Sequence, residues 1–252
     1  MQKICKINVS KEVKISLFLL LIPFVISSLM VWPNQENFEM KGDIASVKEL
    51  GVKGSVHFTY VKYGQTESLA DKWMIAFSNP DAEFTPVYDN NEAQSEEGNQ
   101  IGPTKKEVIS NAVSSAEDKV IHNSKGLIER VSEIQNLASS YEGNSFGLML
   151  GIGLIEEKKN KDYSRNHTYT IAGTGTLEED YRIGSVGSIR LKLLTAEENG
   201  ADIFFVPKDR EKYGEYSNET EAFRVVEEQE LSLKVVPVSR LQDAIYYLEY
   251  KL

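Results

Sequence analysis

Residues 15–32, ISLFLLLIPFVISSLMVW, run for 18 positions without a charge. Coiled into a helix they rise about 27 Å at 1.5 Å per residue, close to the hydrocarbon thickness of a bilayer. Lys3, Lys6, Lys11 and Lys14, offset only by Glu12, precede the run. By the positive-inside rule they stay cytoplasmic and send the remainder outside. A cleaved signal peptide is the competing reading. The length of the run and the lack of a small-residue cleavage site favour a retained anchor. The expected order is a basic cytoplasmic tail (1–14), a single-pass anchor in the cell membrane (15–32), a tether (33–53) and an extracellular body (54–252).

Charge narrows what the body can do. The 252 residues carry a net charge of −10, and the first 33 are net positive by three, so the rest carries −13. Nucleic-acid binding needs cationic surface to displace counterions, so that class is excluded. The one cysteine, Cys5, lies in the tail, so the body holds no internal disulfide and no thiolate metal site. His57, His122 and His167 are widely separated and none lies in an H-E-x-x-H pattern, so no metal and no cofactor is expected.

Periodicity organises the body. KGSVHFTYVKY (53–63) alternates as a strand, and 70–78 reads as either strand or short helix. Residues 80–104 are acidic and turn-rich, the composition of a mobile loop. After Thr104, apolar residues recur at helical spacing up to about 121, and 125–140 continue as helix or strand. Then come a helix from about Ser145 to Lys158, a strand in 167–177, and a turn with a short strand through YRIGSV. A helix stopped at Gly200, an internal strand over 201–207, another helix, a strand over 231–238 and a closing amphipathic helix complete the chain. Helices alternating with strands define an α/β (α+β) body.

EGNSFGLML (142–150) seats Ser145 between Gly143 and Gly147 at a helix start. A serine there is ordinarily an N-cap. The same setting suits a nucleophile, because small neighbours admit a substrate and unpaired N–H groups point outward.

Three stretches in order, EGNSFGLML, IAGTGTL (171–177) and IGSVGSIRLKLLTAEENGADIFFVP (183–207), resemble the protease domain of the Lon family. These are peptidases with a serine–lysine dyad and a fold like the second domain of ribosomal protein S5. The resemblance is strongest over 140–252 and closest to the membrane-anchored, ATP-independent secreted Lon-like proteases of Gram-positive bacteria. Here there is no room for their PDZ module and no phosphate-binding G-x-x-x-x-G-K-[ST].

The resemblance implies Ser145 as nucleophile, Lys192 as general base and Thr174 as the residue supporting the dyad. It also implies a substrate cleft with oxyanion donors around Glu142, Gly143, Asn144 and Phe146. The implied partners are a peptide or unfolded protein substrate and the membrane through the N-terminal helix, with self-association into a homo-oligomer left open. Asn144, Phe146 and Ser188 depart from the family pattern, and the Phe146 ring is expected to narrow the cleft. The alternative function is therefore an inactive Lon-like module that binds peptides without cutting them.

Overall fold

The computed structural model describes residues 10–87, 102–116 and 124–252. The first nine residues of the basic tail, most of the 80–104 loop and the end of the helix predicted up to 121 lie outside them. The chain divides into two compact units, Met1–Phe38 with Tyr63–Tyr88, and Glu39–Lys62 with Asp89–Leu252.

In the first unit, α1 (Lys11–Met30) is a 20-residue helix without a buried residue, long and apolar enough to cross a membrane. Its N-terminus is capped by Ser10, whose side chain accepts from the Val13 N–H. Just beyond its C-cap the chain is pinned: Trp32 O accepts from Leu69 N–H at 3.1 Å, and Glu67 O accepts from Asn34 N–H at 3.2 Å. The stretch left open between strand and helix is α2 (Leu69–Ser78). A reciprocal Ser68–Asp71 capping box starts it, a local signal that outweighs the strand propensity of Trp73, Ile75 and Phe77. A short strand over 83–86 follows.

β1 (Glu36–Ser46), β2 (His57–Gln65), β3 (Glu83–Pro86), β4 (Ile171–Gly173), β7 (Ile203–Pro207) and β8 (Lys234–Val238) form one sheet in the order β3-β1-β2-β4-β7-β8. β5 (Thr176–Leu177) and β6 (Ile183–Gly184) make a separate two-stranded ribbon. β2, β4, β7 and β8 run parallel. The helices of the second unit are α3 (Lys105–Ala116), α4 (Ser124–Leu137), α5 (Gly147–Lys159), α6 (Ile189–Glu198), α7 (Arg210–Tyr213), α8 (Asn218–Glu228) and α9 (Leu241–Tyr250).

β7 explains the layering. All five residues are buried, and successive side chains point to opposite faces. Ile203 and Phe205 join one core with α3, α5 and α9, whereas Phe204 and Val206 join a second with α6 and α8. A strand apolar on both faces requires cover on both sides, which these helices supply.

The segment 33–53 is not a tether. It is β1 followed by a 3-10 turn over Val47–Leu50, and Ala45, Val47, Leu50 and Val52 are at most 2% exposed. Burying these apolar side chains fixes the stretch in the main core.

Candidate active site

Two helices begin at the same end of β4. α5 starts beside the strand's exit, where Leu148 N–H donates to Gly175 O at 3.0 Å. α6 carries the crossover from β4 to parallel β7, so it must run back along the sheet. Asp202, just after α6, donates its N–H to Thr170 O at 2.8 Å, at the entrance of β4. The first turns of both helices therefore lie at the carboxyl ends of the parallel strands, where open α/β sheets bind ligands.

Ser145 does not cap α5. The helix starts at Gly147 behind Phe146, and the N-cap position makes no side-chain hydrogen bond. The serine is instead held by its backbone: its carbonyl accepts from Gly175 N–H at 2.8 Å and from Thr174 Oγ1 at 3.3 Å. The backbone N–H groups of Asn144, Ser145 and Phe146 donate to no acceptor among the described residues. At Gly147 an added Cβ would meet Val108 at 2.4 Å and the Leu177 backbone N at 2.8 Å, so only glycine lets α5 approach α3 and β5 this closely. The turn is braced from outside by Asn144 Nδ2, which donates to Pro103 O, and by Lys105, whose ammonium donates to Tyr141 O.

Gly143 has φ +77°, the left-handed region, and open space where a side chain would be. Glu142 beside it is exposed. Phe146 does not line a cleft: its ring is 2% exposed and lies 5.8 Å from that of Phe58 in the main core. The bulky residue next to the serine is a packing residue, because turning inward buries apolar surface that the cleft would leave wet.

Lys192 sits in the first turn of α6 and is 4% exposed. Burial lowers its pKa from 10.5 to about 8, against the opposing pull of the Glu39 and Glu221 carboxylates. Its amine donates to Gly187 O at 2.8 Å. It makes no hydrogen bond to Ser145 or Thr174. Thr174, fully buried, likewise supports the serine's backbone rather than the amine. The structure thus joins Ser145 to Thr174 directly, and puts Lys192 at the same end of the sheet on a separate anchor.

That anchor rests on Ser188, noted in the sequence as a departure from the family pattern, and on Glu39, which sequence reasoning passed over. Ser188 adopts φ +60°, ψ +38°, a left-handed conformation uncommon outside glycine and asparagine, and its hydroxyl donates to Glu39. Glu39 lies in the stretch read as a tether, so no signal could have drawn it into the site.

Neither the family models nor the curated proteins compared with this chain match it. A cavity of about 590 Å³ opens beside the serine turn, lined by Asn144 and Thr176 on one side and Lys208, Asp209 and Lys212 on another. Thr176 Oγ1 is buried without a hydrogen-bond partner. Among the described residues, no group of three or more His, Cys, Asp or Glu side chains could hold a metal ion.

Proposed function

We propose that the chain is a Lon-type serine–lysine endopeptidase, independent of ATP and anchored in the membrane by α1, that cuts flexible peptides or unfolded segments outside the cell. One observation carries this reading: an almost completely buried lysine whose pKa burial lowers to about 8, at the helix start that shares a sheet end with Ser145. A serine hydroxyl needs a neighbouring base, and an ordinary lysine is charged at neutral pH. Depressed toward 8, Lys192 supplies a usable neutral fraction.

In the proposed reaction the amine leaves the Gly187 carbonyl, swings to Ser145 and takes the hydroxyl proton as Oγ attacks the scissile carbonyl. The N–H groups of the 144–146 turn hold the oxyanion, a contribution of about 3 kcal/mol per donor in other enzymes. The protonated Lys192 then gives its proton to the leaving amine. A water deprotonated by the same amine hydrolyses the ester on Ser145. Without an unfoldase the enzyme acts only on segments already open, since folded domains resist opening by several kcal/mol.

The second reading, a peptide-binding module without turnover, is favoured by the amine's bond to Gly187 O in place of Ser145. Purified full-length protein in vesicles, given an unstructured peptide, separates the two. The peptidase loses cleavage in Ser145→Ala and Lys192→Ala with the fold intact by circular dichroism, and a fluorophosphonate labels Ser145. Cleavage equal in wild type and Ser145→Ala, with peptide still bound, assigns the binding module.

A further inference from the structure

Helix α2 carries an apolar face that nothing among the described residues covers. Trp73 and Met74 are each 63% exposed and Phe77 is 90% exposed. At 100° per residue the three fall within about 100° of arc, one stripe of the helix. The opposite side is turned inward. Asp71 closes the capping box with Ser68, and Lys72 pairs with Glu36 and lies over the Phe84 ring at 5.2 Å. A soluble surface rarely gathers exposed tryptophan, methionine and phenylalanine on one short stripe.

The position of α2 says what covers it. Its first residue, Leu69, donates its N–H to the carbonyl of Trp32, and Pro33 bridges to Ser68. Trp32 follows the 20-residue apolar helix α1 by two positions, at the level where tryptophans mark the bilayer–water boundary. The start of α2 is thereby held at that boundary. Trp73 lies only about 6 Å further along the helix axis.

We propose that α2 is an interfacial helix, seated in the headgroup region of the bilayer crossed by α1, with Trp73, Met74 and Phe77 inserted among the lipid chains. This rests on the reading of α1 as a membrane anchor and is independent of any peptidase activity. Apolar helix faces of this kind bury about 5–10 Å into the headgroup–acyl boundary. With α1 and α2 both engaged, the first unit is attached to the bilayer at two points.

The chain contains two tryptophans, Trp32 and Trp73, so each can be made the sole emitter by one conservative change. Full-length Trp32→Phe is reconstituted into phosphatidylcholine vesicles carrying bromines either just below the headgroup or near the bilayer centre. Trp73 emission is expected to shift to the blue relative to unfolded protein, to lose most of its intensity to the shallow bromines, and to resist aqueous iodide. Adding Met74→Ser and Phe77→Ser should reverse all three. Should these variants fold poorly, Phe77→Cys in a Cys5→Ser background, carrying an environment-sensitive dye, reads the same depth.

Quenching of Trp73 by iodide and not by bromolipid overturns the proposal. Shielding that depends on the protein-to-lipid ratio, without bromolipid quenching, also overturns it and assigns the face to a second copy of the chain. If the anchor reading itself is wrong, Trp32 in Trp73→Phe also escapes bromolipid and alkaline carbonate extracts the protein. If α2 alone is misassigned, Trp32 is quenched, the protein stays with the vesicles and Trp73 remains in water.

Discussion

Glu156 and Lys192 are both charged side chains taken almost wholly out of water, and they are treated in opposite ways. Glu156, toward the far end of α5, is 0% exposed and accepts from Ser55 N–H at 2.7 Å, Ser55 Oγ at 2.5 Å and Tyr163 N–H at 2.8 Å. Burial still pushes its pKa up, but both oxygens are occupied, and they tie the loop before β2 and the turn after α5 to the helix. Lys192 has three N–H donors and one acceptor, the Gly187 carbonyl, among the described residues. A fully satisfied buried charge holds a fold together, whereas an under-satisfied one is a candidate for chemistry, the role proposed here for Lys192. The two are almost equally hidden, and the difference between them lies in their hydrogen bonds.

The comparison breaks most visibly at the lysine. Lys192→Met should reduce cleavage of an unstructured peptide at least about a thousandfold, measured by initial rates at saturating substrate. Loss of less than tenfold would return Lys192 to a structural role.

Stability should then move in opposite directions at the two positions. Holding an amine at a pKa of about 8 in place of 10.5 destabilises the fold by about 3 kcal/mol at pH 7. Lys192→Met should therefore stabilise by about 2 kcal/mol once the lost Gly187 bond is deducted, read from denaturant midpoints. The gain comes from removing a group that the unfolded chain protonates more readily. It is full below pH 8 and fades between about 8 and 10.5, as the wild-type amine neutralises on folding. Glu156→Gln should instead destabilise by about 2 kcal/mol with kcat unchanged, because either orientation of the amide points an NH2 at a backbone N–H.

A smaller effect sharpens the chemistry. Turnover should climb about tenfold per pH unit below the lysine's pKa and level off above about 8, as the neutral amine fraction saturates. Smallest of all, Glu39→Gln removes a carboxylate that favours the ammonium, so the profile should slide to lower pH by a fraction of a unit. The amide can still accept from Ser188. A profile that moves to higher pH would mean that Glu39 acts through the turn and not through charge.

Much of the second unit was legible because its signals are local. β7 is an apolar run of strand length, α6 ends near Gly200, which takes φ +70°, and α9 shows helical spacing up to the C-terminus. The expected α/β alternation is present, with the parallel strand β7 covered by helices on both faces. Residues 33–53 were illegible for a physical reason. Ala45, Val47, Leu50 and Val52 follow neither a strand nor a helix period, because strand gives way to 3-10 turn among them. Ser145 was legible as a residue at a helix start, yet its two readings, cap or nucleophile, differ by one position of the helix boundary. α5 starts two residues later, which removes the cap.

From the sequence alone came the anchor-length helix, the acidic body, the alternation of helices and strands, and the order of Ser145, Thr174 and Lys192. All of these depend on spacing along the chain. Only the tertiary structure decided that the Phe146 ring goes into the core, that Thr174 grips the serine's backbone, and that the lysine amine is stripped of water beside Glu39. Desolvation and close contact are set by residues brought together from distant parts of the chain, Ser145 with Thr174, Phe58 with Phe146 and Glu39 with Lys192, and no local pattern encodes them.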